Sequence, residues 1–289
     1  MKTRVISFFT LASAYVLLTS SAALMGGVGC GSSGSGGSGG TGGGGPTLDP
    51  ANRISDFEDI AAATVTADGT PPRNGYWYSY NDWAVGGPDA STCVQTPEPK
   101  PWTDGQTPPQ DAQKYIGTAP PTLRDGTAGS LALHAMWSGC SVWGAGIGAD
   151  LGQPAAADGG TYTGPKVAYD VTAYKGVTFW AMATAGSDTA LRMKFPMTDE
   201  TKIVDGGKCD EAVVGANKCS DDFGEAFNLP SNGTWKQYTI KFSDSSFKQE
   251  GWGAPFSWNP MDVTSIQIQG KDAGEMYDFW VDDLYFVTQ

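Results

Sequence analysis

Through the second half of the chain, apolar and polar residues exchange places at every second position, in runs too short for stable helices. "LALHAMW" (131–137) sets Leu131, Leu133, Ala135 and Trp137 against Ala132, His134 and Met136. "VTFWAMA" (177–183) sets Val177, Phe179 and Ala181 against Thr178, Trp180 and Met182. The same alternation runs through "ALRMKF" (190–195), "WKQYTIKF" (235–242) and "SIQIQG" (265–270). Each reads as a strand with one buried and one outward face. "YDFWVDDLYFV" (277–287) is more continuously apolar. "YKG" (174–176) and "SNGT" (231–234) supply turn residues between the runs, and no window of comparable length carries a helical stripe. One-sided strands build antiparallel sheets packed face to face, so residues 48–289 are predicted to form an all-β antiparallel β-sandwich, a jelly roll. Its outward positions include His134, Trp180, Arg192, Lys194, Gln267 and Gln269. The Pro-rich stretch 86–125 reads as loops held by Cys93.

The first 47 residues follow different rules. Lys2 and Arg4 precede a largely apolar stretch from Val5 to Met25, the charge pattern and length of an export signal. A retained membrane span is the competing reading, but no stop-transfer charges follow. Val28 and Gly29 before Cys30 resemble the lipobox of bacterial lipoproteins, with Gly27 departing from its usual Leu. That resemblance implies a diacylglycerol on Cys30, which with further acyl chains anchors stably. Residues 1–29 are then the signal peptide and 30–47 the lipidated cysteine and linker. Ten Gly, four Ser and one Thr at 31–45 make a flexible tether with a root-mean-square reach of roughly 20 Å. Gly31 after the cysteine, in place of Asp, points to the outer membrane or cell surface, with secretion after ordinary cleavage as the alternative.

Charge narrows the partners. The chain carries 31 acidic and 18 basic residues, a net −13, and loss of residues 1–29 with Lys2 and Arg4 takes this to −15. So acidic a surface repels phosphate backbones and excludes nucleic acid. Four cysteines follow the linker: Cys93, Cys140, Cys209 and Cys219. An even number in an exported chain reads as two disulfides with three possible pairings. A local Cys209–Cys219 bridge across Gly215 and Asn217 leaves Cys93 with Cys140. His134 is the sole histidine, and no nucleophile elbow, His-Glu-x-x-His motif or phosphate loop is present. A hydrolase or lyase working through paired carboxylates needs none of these. A sandwich that binds protein partners, as an adhesive or structural envelope component, is a third reading.

"ISDFED" (54–59), "YKGVTFWA" (174–181) and "DFWVDDLYF" (278–286) stand in an order and at distances that resemble carbohydrate-binding modules of the family 11 type, which have a galactose-binding-domain-like jelly roll. "WGAGIGADL" (143–151) and "CSDDFG" (219–224) look like a variant found in exported bacterial proteins. The resemblance implies non-catalytic polysaccharide or oligosaccharide binding. It also implies a structural calcium, carried onto Glu58, Asp282 and Asp283 where the first and last strands meet. Calcium takes six to eight oxygens, which such carboxylates and backbone carbonyls supply. "CSDDFG" reads as a solvated turn in preference to a second acidic site.

Sugar binding needs rings for CH faces and planar polar groups for hydroxyls. One candidate set is Trp180, Arg192, Gln267 and Gln269, with His134 beside them. The other is Trp77, Tyr78 and Tyr80, with Asn81, Asp82 and Trp83 alongside, from "YWYSYNDW" (76–83). Trp137 and Trp143 read as core or rim.

Overall fold

A computed structural model describes residues 48–58, 73–82, 93–96, 120–124, 130–152 and 165–289. The export signal, Cys30, the linker and Trp83 lie outside the described residues. Within them the chain forms strands β1 (Arg53–Ser55), β2 (Trp77–Asn81), β3 (Val94–Thr96), β4 (Leu133–Ser138), β5 (Ala145–Asp150) and β6 (Gly176–Ala183). There follow β7 (Ala190–Lys194), β8 (Gly224–Asn228), β9 (Lys236–Lys241), β10 (Ser265–Gly270) and β11 (Tyr277–Val287). A single helical turn, α1 (Glu211–Val214), is capped by the Asp210 side chain.

All pairings between these strands are antiparallel. Sheet one has the order β3-β4-β11-β6-β9, with β1 on β11 beyond the end of β4; sheet two has the order β2-β5-β10-β7-β8. The predicted sandwich is thus the observed one. Its interior holds the inward half of each alternating run: Leu133, Ala135 and Trp137 of β4, Val177, Phe179 and Ala181 of β6, Leu191 and Met193 of β7, Ile266 and Ile268 of β10. Burial of each Leu, Ile, Val, Phe or Met side chain contributes about 1.5–3 kcal/mol, so this shared core holds the two sheets together.

β11 is the most continuously apolar strand because it is central, flanked by β4 and β6 along its first half and by β1 and β6 along its second. At the hand-over the register against β6 shifts between Asp282 and Tyr285, and Asp283 has φ 49°. This bulge turns two adjacent carboxylates toward one guanidinium. Arg124 donates from Nε to Asp282 at 2.9 Å and from a terminal nitrogen to Asp283 at 2.6 Å.

Both expected disulfides are present, Cys93–Cys140 and Cys209–Cys219.

Candidate functional site

The outer face of sheet two is laid out by register. One row across the strands reads Tyr78, Gly148, Gln267, Lys194, Gly224, and the next reads Tyr80, Gly146, Gln269, Arg192, Ala226. Tyr78 and Tyr80 each reach over β5 to β10: the Tyr80 hydroxyl donates to Gln267 Oε1 at 3.1 Å, and Gln267 Nε2 donates to the Tyr78 hydroxyl at 2.9 Å. Gly146 and Gly148 make this possible. A Cβ at Gly146 would lie 2.5 Å from the Tyr80 ring, and one at Gly148 would lie 2.8 Å from the Tyr78 ring. Burial raises the pKa of both phenols, so their hydroxyls stay protonated at neutral pH.

Beside this tyrosine floor is a cavity of about 260 Å³, with Arg192, Lys194, Asp222 and Gln269 among its lining residues and Trp143 and Trp252 at its walls. Trp143 comes from the β4–β5 loop and Trp252 from the segment after β9, next to β8, so β10 and β7 lie between them. Trp143 is 36% exposed and Trp252 46%, whereas most other tryptophans are half-buried or buried. Trp143 also stacks on Tyr80, with ring centroids 6.0 Å apart and planes 25° apart, which continues the tyrosine floor up the wall.

The polar floor is already cross-linked. Lys194 pairs with Asp222 at 2.6 Å and donates to Gln269 Oε1 at 3.3 Å, while Gln269 Nε2 donates to the Trp143 carbonyl at 3.0 Å. Arg192 donates to the carbonyls of Asp222 and Lys248. Burial raises the Asp222 pKa against the pull of Lys194, and burial lowers that of Arg192. Glu200, fully buried, has its pKa pushed up to about 9 by burial and then by Asp222, so it is a neutral acid at physiological pH. The floor is thus built of groups bonded to one another, with opposite charges paired within it.

Of the expected site residues, the fold brings together Arg192, Gln267, Gln269, Tyr78 and Tyr80, merging members of two separate candidate sets on one face. Trp180 does not join them. It lies on β6 in sheet one, opposite Asp282, with Arg124 over its ring at 5.5 Å. His134 is also on sheet one, stacked on Trp280 at 4.0 Å and bonded to Asp278 at 2.7 Å. Trp77 points inward, 1% exposed against Phe57, because β2 alternates about its tyrosines. Trp137 is core and Trp143 is rim. Asp221 and Asp222 of "CSDDFG" are buried, which replaces the expected solvated turn.

The residues expected to hold calcium each have protein partners. Glu58 Oε1 accepts from the Ser130 hydroxyl at 3.1 Å and the Leu131 amide at 3.0 Å, and Asp282 and Asp283 are met by Arg124. Among the described residues, the one group of three or more His, Cys, Asp or Glu ligand atoms within 4.8 Å of one another is Asp82 with Cys93 and Cys140, whose sulfurs are spent in a disulfide.

No family model matches the chain, and no curated protein matches it. Among solved structures it is similar to the family 11 carbohydrate-binding module of a cellulosomal cellulase of Clostridium thermocellum, at 12% identity and TM-score 0.34, over 56% of this chain and 76% of that one. The module from the same organism in complex with a β-1,3-1,4-mixed-linked tetrasaccharide gives 13% identity and TM-score 0.32, over 55% and 76%. The module TmCBM61 in complex with β-1,4-galactotriose gives 10% identity and TM-score 0.26, over 55% and 72%.

Proposed function

We propose that the outer face of sheet two binds uncharged polysaccharide or oligosaccharide without acting on it. The observation that carries this reading is the pair of exposed tryptophans, Trp143 and Trp252, on either side of a cross-linked polar floor. Aromatic walls present apolar faces to sugar CH groups, and Gln269, Arg192 and Lys194 supply directed polar contacts. Sites of this kind bind at micromolar to millimolar Kd. The test is native electrophoresis of the purified full-length protein through gels containing neutral or acidic polysaccharides. Retardation by a neutral polysaccharide, weakened in Trp143→Ala and in Trp252→Ala with the fold intact, supports the reading. Equal mobility in every gel ends it.

The sequence of the first 47 residues supports a second part of the proposal, that a lipid on Cys30 and a Gly/Ser tether display this face at the membrane. Cys30→Ser should move the protein from the membrane fraction into soluble material or stall its processing. Unchanged fractionation with normal cleavage would refute the anchor.

A further inference from the structure

The two exposed tryptophans stand on loops built alike, although the two loops share no sequence longer than Trp-Gly-Ala. Asp82, 3% exposed, accepts on one oxygen the amides of Val142 at 2.7 Å, Trp143 at 3.1 Å and Gly144 at 3.1 Å. Asp221, also 3% exposed, accepts the amides of Glu250 at 2.9 Å, Gly251 at 2.8 Å and Gly253 at 2.9 Å. Each tryptophan thus lies within or beside three loop amides gathered on a single buried carboxylate. Glycine next to the ring permits the turn in both: Gly144 has φ 95° and Gly251 φ 92°. Gly253 could not be replaced, since its Cβ would fall 2.3 Å from Asp221 Cβ. Lys218 adds a bond to the Trp252 carbonyl.

We propose that Asp82 and Asp221 are positioning residues, which hold Trp143 and Trp252 in their ligand-bound placement before any ligand arrives. This rests on the glycan-binding reading above. Several N–H groups converging on one carboxylate make strong, charge-assisted bonds that fix a loop's path. A weak binder gains most from such preorganisation, because ordering a loop at the moment of binding would consume much of the small free energy available. A device for folding alone has no need to end, at both walls of one cavity, in an exposed tryptophan.

The test uses full-length protein carrying 5-fluorotryptophan, with the 19F resonances of residues 143 and 252 assigned from Trp143→Phe and Trp252→Phe. Asp82→Asn should shift and change the linewidth of the Trp143 resonance and leave that of Trp252 alone; Asp221→Asn should do the reverse. The two positions are independent, so if one variant fails to fold the other decides. Soluble mixed-linkage β-glucan and β-1,4-galactan serve as binding probes. Asp82→Asn should weaken retardation about tenfold in the wild-type background, yet add no loss once Trp143 is Ala. Unmoved resonances, or an Asp82→Asn loss of the same size with Trp143 absent, overturn the proposal. Moved resonances in a protein that no polysaccharide retards would leave the positioning role standing and sink the glycan reading.

Discussion

On sheet one, Trp180 lies beneath the Arg124 guanidinium, Trp280 beneath the His134 ring, and Trp235 is tied through its indole N–H to the Thr122 carbonyl at 2.7 Å. On sheet two, Arg192 and Lys194 are bonded within the floor to Asp222 and neighbouring carbonyls, and the tryptophans beside them are 36% and 46% exposed. Both outer faces therefore combine aromatic rings with cations, but the order of the layers is reversed. Where the cation covers the ring, the face is closed by its own side chains. Where buried acids and carbonyls draw the cation down, the ring is left for something else. An outward-pointing aromatic is thus not in itself a binding group; its availability depends on what its neighbours' charges are engaged with.

The same contrast extends to two buried carboxyls, and it predicts the largest effect. Asp282 on sheet one is pushed up to about 6 by burial and Asp283, against the opposing Arg124, while Glu200, in the segment after β7, is pushed up to about 9. Both native pKa values exceed the unfolded ones, so the folded state holds protons that the unfolded state releases, and stability falls as pH rises between the two. For Asp282 that fall is complete near pH 6; for Glu200 it continues to about pH 9. Denaturant unfolding should show a loss on the order of a few kcal/mol between pH 6 and 9 that Glu200→Gln abolishes. Parallel profiles for the two proteins would mean that Glu200 is ionised in the native state.

Next in size is the clamp on sheet one. Arg124→Ala strands two carboxylates at the bulge and should cost about 3 kcal/mol at pH 8, as breaking a largely buried pair does. The cost should shrink at pH 5, where Asp282 takes up a proton. A pH-independent cost would assign Arg124 to packing over Trp180.

The tryptophans test the comparison directly. Trp143→Ala and Trp252→Ala should each weaken glycan binding about 10- to 100-fold, the range of a well-placed aromatic contact. Trp180→Ala should leave binding unchanged and cost stability through the lost contact with Arg124. Loss of binding in Trp180→Ala alone would move the functional face to sheet one.

The smallest effect belongs to the tyrosine floor. Gly148→Ala puts a Cβ 2.8 Å from the Tyr78 ring and should lift it off Gln267, at about 1 kcal/mol of stability and a few-fold in affinity. Full affinity in this variant would confine binding to the tryptophan-walled cavity.

Alternation along single strands was legible in the sequence, which is why the inward and outward sides of β4, β6, β7, β9 and β10 are as expected. Strand order was not. Period two places Trp180 and Arg192 both outward, but nothing in either segment says that β6 and β7, joined by a short turn, enter different sheets. β5 escaped notice for a related reason: its outward positions are Gly146 and Gly148, so the strand shows no polar phase. Asp82 read as a sugar-bonding partner and Asp221 as part of a solvated turn; both are instead buried acceptors, and the six amides they collect lie about 30 to 60 residues away. A Trp-Gly step in two unrelated loops, at Trp143–Gly144 and Trp252–Gly253, was the signal available for the site.

The two disulfides fall at the two walls of the cavity: Cys140 precedes Trp143 by three residues, and Cys219 precedes Asp221 by two. Neither bridge joins the paired sheets across their core, which rests on apolar packing. Thiol chemistry and folding are thereby separated within one chain. Reduction of both bridges should therefore loosen the loops that carry the two tryptophans and leave the paired sheets folded.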